Sequence, residues 1–367
     1  MRVSMRSIQL AGVLSILTMT SSAAMADAVS DAKAVVEEYS KPNAPWTGPT
    51  SGPKAEAGKS IVYVSTDQRN GGALGAGDGV KEAAEKIGWK FTLIDGQGSV
   101  AGRTTALGQA VASKPDVIVL GGIDATEQAT AIQDAAKQGI VIVGWHAYAK
   151  SGPHDTLPIF TNITTDPLVV AKAAASYPCA LLDGKVGAII FTDSTYEIAL
   201  KKAHAMEDVI KACGESKVLE FVDTPLADAS NRMPQLTTSL LQRYGAAWTT
   251  SLSINDLTFD FMPPSLAAAG LTGKDNPQNI SAGDGSEAAF QRIRNGDFQA
   301  ATVAEPLKLQ GWQIVDEANR ALHKEKDSGF VAPPHLFVPT NIEHDGGPNN
   351  TYDPENGYQD AYLKIWK

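Results

Sequence analysis

The stretch KPDVIVLGGIDATEQATAIQDAAKQGIVIVGWH, residues 114–146, decides the fold of this chain. An apolar run at 117–120 is followed by a helical pattern at 125–138 and by a second apolar run at 141–144. Strands with continuous apolar runs are buried on both faces, and the order strand, helix, strand is typical of parallel strands joined by a right-handed crossover. The stretch therefore predicts one βαβ unit of an α/β protein.

The same alternation extends from this unit in both directions. On its N-terminal side lie two more apolar runs with helical patterns between them, at 61–64, 77–87, 91–94 and 103–113. On its C-terminal side a second set of apolar runs follows at 186–191, 218–222, 247–254 and 280–283, with helical patterns at 197–212, 233–244 and 264–269. Two successive sets predict two Rossmann-like lobes, each with a parallel sheet, and a cleft between them.

The N-terminus has the pattern of a secretory signal peptide over residues 1–26. Arg2 and Arg6 precede an apolar run at 10–19, and Ala24-Met25-Ala26 is typical of a cleavage site. The run is shorter than the roughly 20 apolar residues that a membrane-spanning helix needs. We therefore expect the mature chain to begin near Asp27, in the periplasm, where ligand binding is favoured over nucleotide chemistry.

The mature chain is acidic and begins with an extension. The formal net charge of the sequence is −10, and loss of the two leader arginines makes it −12. An acidic surface argues against nucleic acid or anionic membrane as a partner, although solubility alone also explains the charge. A short helix is predicted at 29–39, and the proline-rich residues 41–60 should form an extended lead-in to the first strand.

The chain contains two cysteines, Cys179 and Cys213. In an oxidising compartment an even number of cysteines favours a disulfide, and these two lie near the ends of successive helical patterns at 166–182 and 197–212. The alternative is a pair of buried free thiols.

Several common chemistries lack their sequence signatures. The glycine-rich residues 71–79 do not match a dinucleotide motif, because Val80 stands where the last glycine should be. These glycines more simply let a helix start close to the sheet. The sequence has no Walker A motif and no G-x-S-x-G motif, and the six histidines lack metal-binding spacing. We therefore expect no cofactor, no metal and no catalytic residues.

Polar side chains follow six of the predicted strands. The carboxyl ends of parallel strands form the ligand crevice of α/β proteins, and carboxylates, amides and aromatic rings suit a polyhydroxylated ligand. A helix cap or a turn is the alternative role for each of these residues. The candidate ligand-binding residues are Asp67, Gln68, Arg69, Asn70, Trp145, His146, Asp193, Tyr196, Asn255, Asp284 and Glu305.

The order of these segments resembles the periplasmic sugar-binding proteins of ABC transporters, of the ribose- and galactose-binding type. The resemblance covers about residues 59–339 and rests on IVYVSTDQRN at 61–70, GVKEAAEKIGW at 79–89, residues 114–146, TNITTD at 161–166, SIND at 253–256, SAGDG at 281–285 and ATVAEP at 301–306. It implies a type I periplasmic binding protein: two lobes joined by a three-segment hinge that close over a ligand.

The resemblance also implies boundaries. Crossings near Asn162, Glu305 and Pro339 would divide the chain into an extension at 27–59, an N-terminal lobe at 60–161 plus 306–339, and a C-terminal lobe at 162–305 plus 340–367. A possible last strand is predicted at 336–339 and a terminal helical segment at 358–366.

The family's sugar-binding positions fall on Arg69, His146, Asn255, Asp284 and Glu305. The first loop departs from the family pattern, because it has glycines where the family often has stacking aromatic residues. The family's Asp-Arg pair after the fourth strand is replaced by His146-Ala147, and its arginine in the first helix of the second lobe is missing near Ala199 and Leu200. Stacking would then come from Trp145, Tyr196 or Trp248.

These observations favour a periplasmic receptor that captures a sugar or polyol and delivers it to an ABC permease of the inner membrane. The receptor is expected to be a monomer. The same fold with a nucleoside, an aromatic compound or a signalling molecule as its ligand is one alternative. A secreted glycosidase is another, because Asp284 and Glu305 would supply the two carboxylates that such an enzyme needs.

Overall fold

The computed structural model describes residues 14–42, 44–344 and 349–367 and consists of two α/β lobes. The first lobe contains a sheet of five parallel strands in the order β2-β1-β3-β4-β5. The strands are β1 (Ser60–Ser65), β2 (Lys90–Asp95), β3 (Val117–Gly121), β4 (Val141–Trp145) and β5 (Thr161–Ile163). All five residues of β3 are buried, as the continuous apolar run of a central parallel strand predicts.

The second lobe contains a six-stranded sheet in the order β11-β10-β9-β8-β6-β7. Its strands are β6 (Gly187–Thr192), β7 (Lys217–Asp223), β8 (Thr250–Ser253), β9 (Gln278–Ser281), β10 (Gln299–Ala304) and β11 (His335–Phe337). Only the pairing of β10 with β11 is antiparallel. The predicted class, two α/β lobes with mostly parallel sheets, is confirmed.

Helices cover both faces of the two sheets, so each lobe has a core on either side of its sheet. They are α1 (Leu14–Tyr39), α2 (Gly71–Lys86), α3 (Val100–Ala112), α4 (Ala129–Lys137), α5 (Pro167–Leu181), α6 (Glu197–Ala212), α7 (Ala229–Tyr244), α8 (Pro263–Ala268), α9 (Glu287–Asn295), α10 (Leu307–Leu322) and α11 (Tyr358–Trp366). None of the helices in the described ranges is both long enough and apolar enough to cross a membrane.

The C-terminal third of the chain alternates between the lobes more often than the sequence predicted. Strand β11 pairs with β10 in the second lobe, so the chain crosses before this strand and not near Pro339. Ile342 and Tyr352 pack on the second lobe, but helix α11 packs on α10 in the core of the first, so the assignment of 340–367 to the second lobe is wrong for this helix. The physical reason is an aromatic stripe on α11, Tyr358, Tyr362 and Trp366, which is buried against Trp312 of α10.

The glycine-rich run at 71–79 lies inside α2, where it permits close packing. A Cβ atom on Gly79 would lie 2.6 Å from the carbonyl oxygen of Lys308, and one on Gly311 would lie 2.5 Å from the backbone of Gly79. The backbones of α2 and α10 therefore touch at Gly79 and Gly311, which only glycine allows. A structural role explains these glycines.

The structure joins Cys179, near the end of α5, to Cys213, just after α6. Ala32 and Val29 of α1 cover the disulfide. Residues 1–13 of the predicted leader lie outside the described residues. Helix α1 continues across the predicted cleavage site after Ala26, and its residues beyond that site pack on the second lobe.

Candidate functional site

A cavity of about 60 Å³ lies between the lobes, at the carboxyl ends of strands from both sheets. The first lobe contributes Thr66, Asn70, Gly122, Trp145 and His146, and the second contributes Tyr196, Ile198, Ala199, Lys202, Leu226, Ile254, Asn255 and Asp284. The cavity is bordered by both lobes, so a ligand enters it when the lobes separate and is enclosed when they close again.

A buried ammonium group lies at the floor of this cavity. Lys202 comes from α6, and its Nζ atom is 3.6 Å from Oε1 of Glu305 and 4.0 Å from Oδ1 of Asp284. Both distances exceed that of an ordinary hydrogen bond, and Oε1 of Glu305 has no hydrogen-bond partner. Because unpaired buried charges are costly, this arrangement suits a ligand that makes hydrogen bonds to Lys202 and Asp284, which both line the cavity.

The second oxygen of Glu305 is held by a network from the first lobe and the hinge. His146 Nε2 lies 3.0 Å from Oε2 of Glu305, and Gln310 donates to the same oxygen at 2.9 Å. Gln310 also accepts from the indole of Trp145 at 2.7 Å, and Trp145 stacks on His146 with ring centroids 4.0 Å apart. Glu305 is therefore a supporting residue, behind His146 and Lys202, and does not line the cavity.

The two carboxyl groups differ in their electrostatics. Burial raises the pKa of Asp284 to about 6, because Lys202 and His146 only partly offset the loss of solvent. Burial also acts to raise the pKa of Glu305, but His146 and Lys202 outweigh it and hold that pKa below its usual value. Asp284 therefore changes charge near pH 6, while Glu305 stays ionised.

His146, Asp284 and Glu305 place ligand atoms within 4.8 Å of one another, which is the spacing of a metal site. The ammonium of Lys202 already provides a positive charge beside both carboxylates. A divalent ion at this point would be repelled by Lys202, so the donor set fits a metal poorly. We retain the expectation that the site binds no metal.

Six of the candidate residues line the cavity together: Asn70, Trp145, His146, Tyr196, Asn255 and Asp284. Asn70 also caps α2, because its side-chain oxygen accepts a hydrogen bond from the backbone of Gly72 at 3.0 Å. The side-chain oxygen of Asn255 accepts a hydrogen bond from the backbone of Leu257 at 3.2 Å. His146 adopts a φ of 50°, which is uncommon for a residue other than glycine.

The other candidates have structural contacts outside the cavity. Arg69 pairs with Asp67 at 2.7 Å, and its side chain is 59% exposed. The backbone of Gln68 donates to Asp95 at 3.2 Å. Asp193 accepts from Thr195 and from Leu226. A carboxylate or guanidinium with a local partner has little left to offer a ligand, which is why Asp67, Arg69 and Asp193 do not line the cavity. Gln68 also lies outside the lining, and its side-chain nitrogen is buried without a hydrogen-bond partner.

Trp248, proposed as a stacking residue, lies in the core of the second lobe and donates to the carbonyl of Thr250. The sequence pattern did not indicate Lys202, because the family's arginine was expected near Ala199 and Leu200. Helical spacing was the available signal. Lys202 follows Ile198 and Ala199 by one helical turn, and all three line the cavity.

Direct contacts hold the lobes together around the cavity. The hydroxyl of Tyr196 in the second lobe lies 3.0 Å from Thr66 and accepts from Arg103 at 2.9 Å, both in the first lobe. Lys201 donates to the carbonyl of Ala149 at 3.2 Å. The buried Arg103 is also paired with Glu127. The bonds of Tyr196 and Lys201 cross between the lobes and exist only while the lobes are closed.

We expect Tyr196→Phe to weaken ligand binding by roughly two- to tenfold, because it removes bonds that stabilise the closed arrangement. The aromatic ring remains in place. Calorimetric titration checks the result, with Tyr177→Phe in α5 as the matched control. Equal affinities for the Tyr196→Phe variant and the wild type would show that the hydroxyl does not contribute to closure.

Comparisons with known proteins agree with this architecture. A family model described as a periplasmic binding protein domain matches residues 60–326. A comparison with curated proteins gave no match.

Solved structures with similar folds include an arabinose binding protein from Geobacillus stearothermophilus, with 18% identity, a TM-score of 0.62, and coverage of 78% of this chain and 99% of that one. A solute binding protein of an ABC transporter from Agrobacterium vitis with bound allitol has 19% identity and a TM-score of 0.63. The match covers 78% of this chain and 97% of that one. A sugar ABC transporter protein from Yersinia enterocolitica has 14% identity, a TM-score of 0.69, and coverage of 86% and 100%.

At these identities the structures show that the fold is shared. The family match covers most of the sequence, including both sheets except β11. The chain therefore belongs to the periplasmic binding protein domain family.

Proposed function

We propose that this protein is the periplasmic solute-binding component of an ABC importer and that it captures a sugar or polyol between its lobes. The observation that carries the proposal is the buried pair of Lys202 and Asp284, which lines the inter-lobe cavity with Glu305 behind it. A ligand hydroxyl placed there would accept a hydrogen bond from the ammonium group and donate one to the carboxylate. A sugar or polyol offers several such hydroxyls.

The remaining lining groups support a ligand with hydroxyls on more than one side. Asn70 and His146 face the cavity from the first lobe, and Asn255 and Tyr196 from the second. Amide and imidazole groups donate and accept, as each hydroxyl requires. The arabinose binding protein and the allitol-bound solute binding protein of similar fold point in the same direction.

The proposal includes no covalent chemistry. A glycosidase needs two carboxyl groups on either side of one glycosidic bond, with space for that bond between them. Here Lys202 lies next to both carboxylates, and Glu305 is held by His146 and Gln310. The arrangement favours binding. The proposed receptor acts as a monomer in the periplasm, delivers its ligand to a permease of the inner membrane, and does not bind nucleic acid.

A thermal-shift screen of sugars, polyols, nucleosides and amino acids tests the proposed function. A ligand at 100 times its dissociation constant stabilises the folded state by about 2.7 kcal/mol, which such a screen detects. We expect a sugar or polyol to give the largest shift. Stabilisation by nucleosides or amino acids alone would refute the proposed ligand class.

Affinity for an uncharged ligand should depend on pH through Asp284. Above about pH 6 its carboxylate is ionised and accepts a ligand hydroxyl. Below this pH the group is protonated, so affinity should decline by up to about tenfold per pH unit as the pH falls. Calorimetric titrations between pH 4.5 and 8 measure this decline in affinity. In Asp284→Asn the decline that is due to protonation of Asp284 should be absent. A flat profile in the wild type would contradict the assignment.

A further inference from the structure

The N-terminal helix docks on the second lobe. Val35, Val36 and Tyr39 of α1 pack against the core formed by α5, α6 and the second sheet. Ala32 is buried against the disulfide between Cys179 and Cys213. This end of the extension is therefore anchored to one lobe.

The following segment docks on the other lobe. Asn319 of α10 donates to the carbonyl oxygens of Pro53 at 3.0 Å and Lys54 at 3.1 Å, and it accepts from the backbone of Glu56 at 3.1 Å. The backbone of Ala55 donates to Trp366 of α11 at 2.9 Å. Asn319 is fully buried, so these bonds satisfy a side chain that would otherwise lack partners.

Between its two anchors the extension passes over the hinge. Trp46 packs against Phe330, Tyr358 and Tyr362, with ring centroids 5.1, 6.4 and 5.3 Å away. A cavity of about 40 Å³ beside Trp46 is bordered by prolines of three segments that pass between the lobes: Pro306, Pro333 and Pro354.

Within the described residues the chain passes between the lobes at five places. Three are the connections β5 to α5, β10 to α10, and α10 to β11, which is the number that a three-segment hinge requires. The fourth joins β11 to α11. The fifth joins α1, in the second lobe, to Trp46, in the first.

We propose that the described residues 27–42 and 44–59 form a strap that restricts the opening of the lobes. Its two ends are fixed to different lobes, and Trp46 fills the space beside the hinge segments. Opening would change the gaps between these segments and strain the packing of Trp46. The inference concerns the lobe motion on which the proposed function depends.

The strap can be cut in the intact, folded chain. A recognition sequence for a specific protease, inserted after the exposed Lys41, allows cleavage between the two anchors. Spin labels on Ala101→Cys in α3 and Asn231→Cys in α7 report the distance between the lobes in the absence of ligand. The uncut preparation of the same chain and protease-treated chain without the insertion are the controls.

We expect cleavage to shift the label distances to longer values and to weaken ligand binding by roughly two- to tenfold, in proportion to the loss of the closed population. Trp46→Ala in the uncut chain should give a smaller shift in the same direction. If the cut chain unfolds, the label distances in Trp46→Ala alone test the strap. If the distance between the spin labels is unchanged in Trp46→Ala and in a folded cut chain, the proposal that the extension restricts opening is wrong.

The two proposals fail in different ways. The label distances are measured without ligand, so they judge the strap alone. Ligand binding by the uncut chain judges the receptor function, whatever cleavage does.

Discussion

Replacing Asp284 by asparagine is expected to weaken ligand binding by about ten- to a hundredfold. The carboxylate is buried in the cavity, 4.0 Å from Lys202, and in the proposed function it accepts a charge-assisted hydrogen bond from a ligand hydroxyl. Loss of a hydrogen bond to a charged group costs about 1.5–3 kcal/mol, which corresponds to this range of affinities. Calorimetric titration with the ligand identified by screening measures the change.

Asp134→Asn is the matched control for this substitution. Asp134 pairs with Lys137 on the exposed face of α4, away from the cavity. Its variant should bind as the wild type does, and both variants should unfold at temperatures close to that of the wild type. Wild-type affinity in Asp284→Asn would mean that this carboxylate does not contact the ligand.

Gly72→Ala is expected to prevent full closure of the lobes. Gly72 lies at the start of α2 in the first lobe, and a Cβ atom there would lie 2.2 Å from Oδ2 of Asp284 in the second. Such an overlap costs about 1–3 kcal/mol, or roughly five- to a hundredfold in affinity. Solution scattering should show a larger radius of gyration for the ligand-saturated variant than for the ligand-saturated wild type.

Gly108→Ala in α3 provides the comparison. A Cβ atom at Gly108 would meet nothing within 4 Å, and alanine favours a helix more than glycine does. This variant should close and bind normally. If Gly72→Ala also closes and binds normally, the contact between α2 and Asp284 does not limit closure.

The sequence predicted the two sheets because parallel strands that are buried on both faces have continuous apolar runs. The central strands β3 and β6 show this clearly. Strand β5 and helix α9 were not predicted, and β5 has only three residues, which is too short for a periodic signal. Helix α11 was predicted, but its lobe was not, because an aromatic stripe does not specify which core it joins.

The site was predicted less completely than the fold. The carboxyl ends of strands were the correct places to look, since Asn255 and Asp284 lie there and line the cavity. Lys202 lies within a helix, where only the orientation of α6 toward the first lobe brings it to the cavity. Arg69 was misplaced because its neutralisation by Asp67 depends on side-chain geometry.

The central claim is that a sugar or polyol binds in the cleft around Lys202, and a calorimetric titration of the wild type and of Lys202→Met tests it most directly. Methionine retains an unbranched apolar chain in this buried position but removes the ammonium group. We expect one molecule of a sugar or polyol to bind the wild type and to bind Lys202→Met at least about tenfold more weakly. Equal affinities in the two proteins, or no binding of any sugar or polyol to the wild type, would contradict the claim.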